Sequence, residues 1–244
     1  MIKIENTEVY GWEAAIRGMR NPMNSWDKSD SKWYSIGTPG TNQAAANDKH
    51  LTEKYCIGNN DLDLMKRLRN AGTDHRKFMR MITVTADIVA PTYWWAEYDT
   101  YKIGTVANSC SKMHKLLSKP FEISDFSFDK LLGFRNDIIN GKYKYIENKN
   151  TFEEVAKPLI NILNELRDSY FSCESEMNKK VIWYSIIQLL PSSYNQRRTV
   201  MLNYEVLTNI YHARKNHKLD EWHDFCHWVE TLPYAKELII GEEK

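Results

Sequence analysis

Alternating apolar and polar residues predict a strand in the first half of the chain. Residues 82–88 (ITVTADI) alternate and are rich in β-branched side chains, which is typical of a half-buried strand. Pro91 has no backbone N–H to donate to a neighbouring strand, so we expect this strand to stop there. A short strand is also predicted over residues 2–10.

Helical spacing appears on either side of a long polar segment. A helix around residues 12–19 is expected to end before Pro22, because the residue ahead of a proline disfavours helical geometry. Residues 62–71 return to helical spacing, and Gly72 supplies a C-terminal stop. Residues 24–48 between them are rich in turn formers and predict a long loop, which in a compact domain is more often a lid or binding loop than a spacer.

The predicted strand that stops at Pro91 leads into residues 92–101, which are dense in aromatic side chains. At helical spacing these rings cannot all face the core. Only one set, such as Trp94, Tyr98 and Tyr101, is expected to pack inward together.

A small, polar and flexible segment follows the aromatic run at residues 104–111, and Lys102 and Lys112 bracket it. A strand end, a short helix and a loop of hydrogen-bond donors between two cations form an arrangement that can bind an anion or a nucleotide. From these residues alone, an ordinary surface loop with solvated lysines is the favoured interpretation.

The C-terminal half is predicted to be helical. Apolar residues recur at three- and four-residue steps over residues 152–166. Residues 181–190 are apolar nearly all round, which predicts a buried helix that ends before Pro191. Further helices are predicted over residues 200–211 and 219–229.

Strands early and helices late indicate an α+β fold. We expect one domain over residues 1–244, with a mainly antiparallel sheet flanked by helices and a helical C-terminal half. A chain of 244 residues can bury a sufficient core without disulfides or a structural metal.

Composition narrows the class of protein. Hydrophobic residues make up 42% and charged residues 27% of the chain, which is typical of a soluble globular protein. A formal charge of +1 argues against a nucleic-acid-binding surface spread over the whole molecule. The four cysteines lie far apart without a CxxC pair, which favours reduced thiols in the cytoplasm. The charged start of the chain predicts no signal peptide, and no apolar run approaches membrane-spanning length.

Histidines near the C-terminus are the first candidate for chemistry. Zinc sites use such ligands, but no HExxH arrangement occurs among His212, His217, His223 and His227, or with the neighbouring Cys226. Surface or helix-capping histidines are the favoured interpretation, and we expect no metal site.

A second candidate is the set Asn203, Asn209 and Arg214, at spacings of six and five on one predicted helix. The alternative is a set of exposed polar residues, with Arg214 near a helix C-terminus where its charge is favourable.

The arrangement of these residues resembles the flavin-dependent thymidylate synthase (ThyX-like) family. That family carries a signature of the form RHRxxSxNExSxR after a strand, an Ala-Pro step and an aromatic helix. Here Ala90-Pro91 is the Ala-Pro step, and residues 100–112 (TYKIGTVANSCSK) fill the signature position. His75 stands where the family has a histidine ahead of the same strand. The resemblance covers roughly residues 60–230.

Downstream positions extend the resemblance. Leu190-Pro191, Asn203, Asn209 and Arg214 follow the family's Leu-Pro, Asn, Asn and Leu-Arg positions without a gap. Glu221-Trp222 is similar to the Gln-Trp pair that comes next.

The chain departs from the signature at most of its polar positions. Of its first three residues only a cation remains, as Lys102, since Thr100 and Tyr101 replace the leading Arg and the His. An Arg-to-Lys exchange replaces a bidentate fork with a point charge, which weakens phosphate recognition without abolishing it. The other exchanges, each written as the residue found here, are Thr105 for Ser, Ala107-Asn108 for Asn-Glu, Cys110 for Ser, Lys112 for the last Arg and, further on, Ile187 for a phosphate-binding Arg.

The resemblance implies reductive methylation of deoxyuridylate (dUMP), with methylene-tetrahydrofolate as carbon donor and NADPH reducing a bound FAD. It implies that Arg214 acts on the pyrimidine, where a positive charge stabilises charge developing on the ring. It further implies a homotetramer, flavin-binding roles for His75, Lys102, Asn203 and Asn209, and substrate-binding roles for Thr105, Asn108, Cys110, Ser111, Lys112 and Arg214. The alternative is a protein of the same fold that binds a nucleotide without this reaction, or acts on another substrate.

Overall fold

The structure is a computed structural model that describes residues 2–36, 52–129, 133–139, 142–148 and 155–241. Its strands are β1 Lys3–Tyr10, β2 Lys32–Ile36, β3 Thr52–Cys56, β4 Thr83–Pro91, β5 Val106–Ser109, β6 Gly133–Ile139, β7 Lys142–Asn148 and β8 Asn195–Asn203. Its α-helices are α1 Trp12–Arg20, α2 Asn59–Asn70, α3 Thr92–Tyr98, α4 Lys112–Lys115, α5 Lys157–Ser172, α6 Glu176–Leu189, α7 Tyr204–Arg214 and α8 Asp220–Glu230. A 3₁₀ helix spans Arg76–Met81, and a π-helical turn spans Lys236–Ile240.

A four-stranded antiparallel sheet with the order β1-β4-β8-β5, flanked by helices, confirms the predicted α+β class. In β4 every second residue is buried, as the alternation predicted. Val84, Ala86 and Ile88 are at most 1% exposed, so this face of the strand lies in the core. Strand β1 and helices α1, α2 and α8 also lie where their patterns predicted them.

The predicted loop over residues 24–48 is partly wrong. Residues Lys32–Ile36 form β2, which pairs antiparallel with β3 in a register that places Trp33 opposite Tyr55. The partner strand comes from outside the segment, so local turn-forming residues could not indicate the pairing. Residues 37–48 of the predicted loop lie outside the described residues.

The aromatic segment differs from its prediction at one position. Helix α3 ends at Tyr98, and its buried rings are Trp94, Trp95 and Tyr98. Tyr101 therefore lies beyond the helix and is only half-buried. The polar segment that follows contains the short exposed strand β5, where a loop was predicted.

Two C-terminal predictions are also corrected. The helix predicted over residues 200–211 begins only at Tyr204, because residues 200–203 belong to β8. Helix α6 is not buried as predicted, since only Ile186 is fully enclosed while Val181 is 58% exposed. An apolar pattern all round a helix does not itself supply packing partners for every face.

The described chain forms two compact units, each assembled from several segments. Unit 1 comprises Met1–Glu5, Asp87–Thr100 and Ala107–Val200, and unit 2 comprises Asn6–Ala86, Tyr101–Val106 and Met201–Lys244. Unit 1 contains an apolar cluster of Leu116, Phe121, Phe126, Leu163 and Ile186. Unit 2 encloses Trp222, Phe225, Tyr204, Met65 and Met79. Neither unit is a continuous stretch of chain, and the expected single domain over 1–244 stays a prediction.

No helix within the described ranges is long and apolar enough to cross a membrane.

Candidate functional site

The start of α7 and the turn at residues 101–105 lie against each other in unit 2. Gly104 has φ +75°, and a Cβ added to it would lie 2.9 Å from Asn203 Nδ2 and 3.0 Å from Val206 Cγ2. Glycine is therefore required for this close approach. The Thr105 hydroxyl donates to the Tyr101 carbonyl and closes the turn. The turn at residues 101–105, within the segment that replaces the family signature, therefore has a defined conformation beside the start of α7.

Arg214, at the C-terminal end of α7, lies over two aromatic rings that contact each other edge to face. Its Nε donates to the Tyr101 hydroxyl over 2.8 Å. Its guanidinium carbon lies 4.8 Å from the centroid of the Trp222 ring and 5.5 Å from that of the Tyr101 ring. Trp222 is fully buried, whereas Arg214 is only half-buried. The two rings attract the cation and fix its position at an accessible point of unit 2.

Asn203 and Asn209 both have their side-chain carbonyl oxygens engaged. Asn203 caps α7, its Oδ1 accepting from the Val206 N–H over 3.0 Å. Asn209 Oδ1 accepts from Arg76 Nη2 over 3.2 Å. These bonds fix the orientation of both amides, so their NH₂ groups are donors for a ligand with carbonyl or ring-nitrogen acceptors.

Arg76, which binds Asn209, belongs to a group of ion pairs. Arg76 and Arg80 both bind Glu205, a buried carboxylate in the first turn of α7, and Arg76 Nε lies 3.5 Å from Glu205 Oε1. His75 directly precedes Arg76 and is exposed. Asp74 also interacts with Arg80, so two arginines and two carboxylates are grouped here.

Arg69 adds a further cation in the same unit. Its guanidinium donates to the carbonyls of residues 238–240 at distances of 2.8–3.2 Å and so caps the last helical turn. His212 Nε2 lies 3.5 Å from Arg69 Nη2. Burial and then the positive charge of Arg69 lower the pKa of His212.

Cys110 is fixed by its backbone in unit 1. Its N–H donates to the Arg197 carbonyl over 3.0 Å, and its carbonyl accepts from Gln196 Nε2 over 2.8 Å. Gln196 is buried and in turn accepts from Arg198 Nε over 3.2 Å. Arg198 Nη1 binds Asp99 over 2.6 Å. The Cys110 thiol itself is exposed.

The other predicted substrate residues of unit 1 lie next to Cys110 in the chain. Asn108 is exposed in β5, and Ser111 caps the short helix α4, its hydroxyl accepting from the His114 N–H over 3.3 Å. Lys112 is the first residue of α4.

The structure thus groups the predicted site residues by unit. Unit 2 contains His75, Lys102, Thr105, Asn203, Asn209 and Arg214, and unit 1 contains Asn108, Cys110, Ser111 and Lys112. Their individual roles stay predictions. Lys102 is exposed, on the turn that lies against α7.

The sequence did not identify most of the residues whose hydrogen bonds or ion pairs hold the predicted site residues in place. Tyr101 fills the signature's histidine position and could have been found there, but its bond to Arg214 could not. The sequence carries no comparable signal for Arg76, Glu205, Gln196 or Arg198, because their partners are distant along the chain.

The histidines near the C-terminus are not gathered into a metal-binding group. Over the described ranges of the chain, no three His, Cys, Asp or Glu residues are placed to hold a metal ion. His223 Nδ1 lies 3.8 Å from the Asp220 carboxylate one helical turn away, and the Cys226 thiol is buried, which raises its pKa to about 11.

Comparison with known proteins identifies relatives by structure only. No protein-family model matches the sequence, and no curated protein matches it. Among solved structures, a flavin-dependent thymidylate synthase ThyX from Helicobacter pylori, complexed with FAD and dUMP, is similar with a TM-score of 0.58 at 17% identity. That similarity covers 97% of this chain and 97% of the other. A second structure of the Helicobacter pylori enzyme with FAD and dUMP has the same TM-score of 0.58 and 17% identity, over 98% of this chain and 97% of that one.

A UMP/dUMP methylase, PolB from Streptomyces cacaoi bound with 5-Br dUMP, is similar with a TM-score of 0.56 at 13% identity. The similarity covers 98% of this chain and 95% of the methylase. The chain therefore has, over nearly its whole length, the fold of the flavin-dependent thymidylate synthases.

Proposed function

We propose that this protein is a flavin-dependent methylating enzyme of the thymidylate synthase type. It acts on dUMP, with methylene-tetrahydrofolate as carbon donor and NADPH as reductant. The observation that carries the proposal is the contact of Arg214 with both Tyr101 and Trp222, whose rings also contact each other. All three residues fall in segments that resemble the family, and the contacts link the altered signature to the downstream arginine.

Arg214 is the residue that acts on the pyrimidine. Tyr101 engages Nε, and a guanidinium carries five N–H donors in a fixed fork. A cation held by rings does not have to reorganise when negative charge develops on the uracil carbonyls, which is the condition for efficient electrostatic stabilisation. An arginine serves better here than a lysine because its donors reach two acceptor atoms at once.

The donor set of unit 2 fits a flavin. Asn203 and Asn209 present amide donors to acceptor atoms of a ring system, and His75 and Arg76 supply groups for a pyrophosphate. When bound, FAD supplies the hydride that the methylation requires. Tyr101, in place of the family's histidine, holds Arg214 while Lys102 keeps one cation of the signature.

Asn108, Ser111 and Lys112 are proposed to hold the nucleotide phosphate. Lys112 gives a point charge without the bidentate geometry of the arginine it replaces, so we expect weaker phosphate binding. Gln196 and Arg198 hold the backbone at Cys110 and thereby position this segment.

One observation favours a second candidate, a protein that binds a nucleotide without catalysing the reaction. Ile187 stands where the family has a phosphate-binding arginine, and it packs against the apolar cluster of unit 1. A cationic phosphate contact is thus replaced by an apolar one.

Flavin binding and turnover distinguish the two candidates. The purified protein is denatured to release any flavin, and the apo-protein is titrated with FAD. Conversion of dUMP is then followed by mass spectrometry with methylene-tetrahydrofolate and NADPH present. The enzyme requires FAD binding and a methylated product. No released flavin and no binding at tens of micromolar FAD would favour the second candidate.

A further inference from the structure

A cavity of about 1020 Å³ lies in unit 2 and shares no lining residue with the candidate site described above. Its walls are strongly aromatic, with contributions from Tyr10, Trp12, Trp33, Tyr55 and Tyr234, and Glu13 is among its polar residues. A cavity of about this size, lined by aromatic rings together with polar groups, is typical of a small-molecule site.

Trp12, which lines the cavity, packs edge to face against two other aromatic rings. Trp12 lies 5.2 Å from Tyr204 and 5.4 Å from Tyr234, centroid to centroid. Tyr234 has φ +55°, a left-handed conformation that a bulky residue rarely adopts. The Tyr204 hydroxyl donates to the Pro233 carbonyl over 2.6 Å and holds the same turn. The surrounding contacts therefore fix a strained aromatic residue in the cavity wall.

The rim exposes aromatic faces. Trp33 faces Tyr55 across the β2–β3 pair, with centroids 5.1 Å apart. Even so, Trp33 is 54% exposed and Tyr10 is 51% exposed. Both rings can therefore gain apolar contact from a flat ligand, and stacking on such rings tolerates any planar ring system.

The charged groups of the cavity select the kind of ring. Glu13 accepts from Arg17 Nη1 over 3.0 Å through one oxygen and from Trp33 Nε1 over 3.3 Å through the other. A carboxylate has about four lone-pair positions, so Glu13 can accept further N–H donors from a ligand. Arg17 balances its charge and would repel a permanent cation. A neutral ring is therefore favoured over a quaternary ammonium group.

We propose that this cavity binds a planar heteroaromatic ring that carries N–H donors, such as a guanine-type base. The ring stacks on Trp33 and Tyr10, and its N–H edge donates to Glu13. This site is independent of the proposed function, because it uses none of the residues assigned to FAD or dUMP.

Titration calorimetry with two planar probes tests the site. Guanosine has N–H donors on its ring edge, whereas caffeine is planar and has none. We expect guanosine to bind the unaltered protein, and Trp33→Ala to weaken it by about tenfold or more. Tyr184→Ala is the control, because Tyr184 is 48% exposed, belongs to α6 in unit 1 and does not line this cavity. Glu13→Gln should weaken guanosine but leave the affinity for caffeine unchanged.

Three outcomes overturn the proposal: no guanosine binding by the unaltered protein, equal losses in Trp33→Ala and Tyr184→Ala, or tetramethylammonium binding in place of guanosine. If Trp33→Ala does not fold, as judged by its thermal transition, Tyr10→Ala takes its place. Guanosine binding must also survive Arg214→Ala. Its loss there would assign the binding to the candidate nucleotide site and overturn the separate one.

Discussion

The structure shows which contacts Arg214 and Cys110 make, and these contacts can be tested by mutation. Arg214 is the last residue of α7, where a helix-end charge was the alternative interpretation, and it also contacts the Tyr101 and Trp222 rings. Cys110 stands where the family has a serine, and its main chain is bonded on both sides while its thiol is exposed. At both positions, a conservative substitution can show whether the side chain contributes to nucleotide binding and turnover or only to stability.

Arg214→Lys should reduce dUMP affinity or turnover while changing the free energy of unfolding by about 1 kcal/mol or less. Lysine keeps the charge but loses the fork of donors. Equilibrium denaturation and nucleotide titration measure the two effects. Tyr101→Phe is the companion variant, because it keeps the ring and removes only the hydrogen bond to Nε, and its effect on dUMP should be smaller. If Arg214→Lys unfolds the protein, and the unaltered protein shows no dUMP binding, the residue is structural.

Cys110→Ser should remain competent in nucleotide binding and in any turnover, because it restores the family residue and leaves both backbone hydrogen bonds intact. The measurement is a side-by-side titration and assay. An inactive variant of normal stability and affinity would instead indicate a nucleophilic thiolate. A mass shift at Cys110 after incubation with a halogenated deoxyuridylate would support that conclusion.

At the scale of elements, a buried carboxylate links three parts of unit 2. Asp61, in the first turn of α2, accepts from Arg20 Nε of α1 over 2.6 Å. It also accepts from the Ser29 and Ser31 hydroxyls, at 2.7 and 2.6 Å. Asp61 is fully buried and Arg20 only 4% exposed. The network therefore holds the segment before β2 against both helices.

Asp61→Asn should destabilise the protein by about 3 kcal/mol, because it leaves the buried Arg20 without its counter-charge. Urea denaturation at pH 7 measures the difference. Asp63→Asn is the matched control, since Asp63 is exposed and lies 3.8 Å from Lys66, and it should change stability by less than about 0.5 kcal/mol. Equal effects in the two variants would show that the network contributes little.

The same carboxylate should make the protein sensitive to acid. Burial raises the pKa of Asp61, but hydrogen bonds from Ser31, Ser29 and Arg20 outweigh it, and the pKa lies below its ordinary value. The stabilisation is therefore present above the unfolded pKa of about 4 and is lost as the pH falls through the lower folded value. Unfolding free energy measured from pH 7 down to pH 3 should fall less steeply in Asp61→Asn. Parallel curves would contradict this.

At the scale of the whole molecule, a flavin and a nucleotide should each stabilise the folded chain. A ligand at one hundred times its Kd adds about 2.7 kcal/mol to the free energy of unfolding. FAD and dUMP should therefore each raise Tm by several degrees, and Arg214→Lys should reduce the shift caused by dUMP. Scanning fluorimetry checks this, with NADPH-free buffer as the reference. An unchanged Tm with both ligands would contradict the proposed function.

The sequence alone predicted those strands and helices in which buried residues recur at the strand or helix period. The alternation in β4 and the apolar face of α8 needed no partner to be predicted, because period two and period 3.6 follow directly from strand and helix geometry. The α+β class and the resemblance to flavin-dependent thymidylate synthases came from the same order of residues, and the fold bears both out.

Only the tertiary structure decided the features that depend on distant partners. Strand β2 exists because β3 pairs with it, and residues 200–203 join a sheet although their pattern favours a helix. Tyr101 lies beyond the aromatic helix α3, and its hydroxyl accepts from Arg214, which is 113 residues further along the chain. Contacts of this kind are set by which surfaces fold together, and a local sequence window carries no information about them.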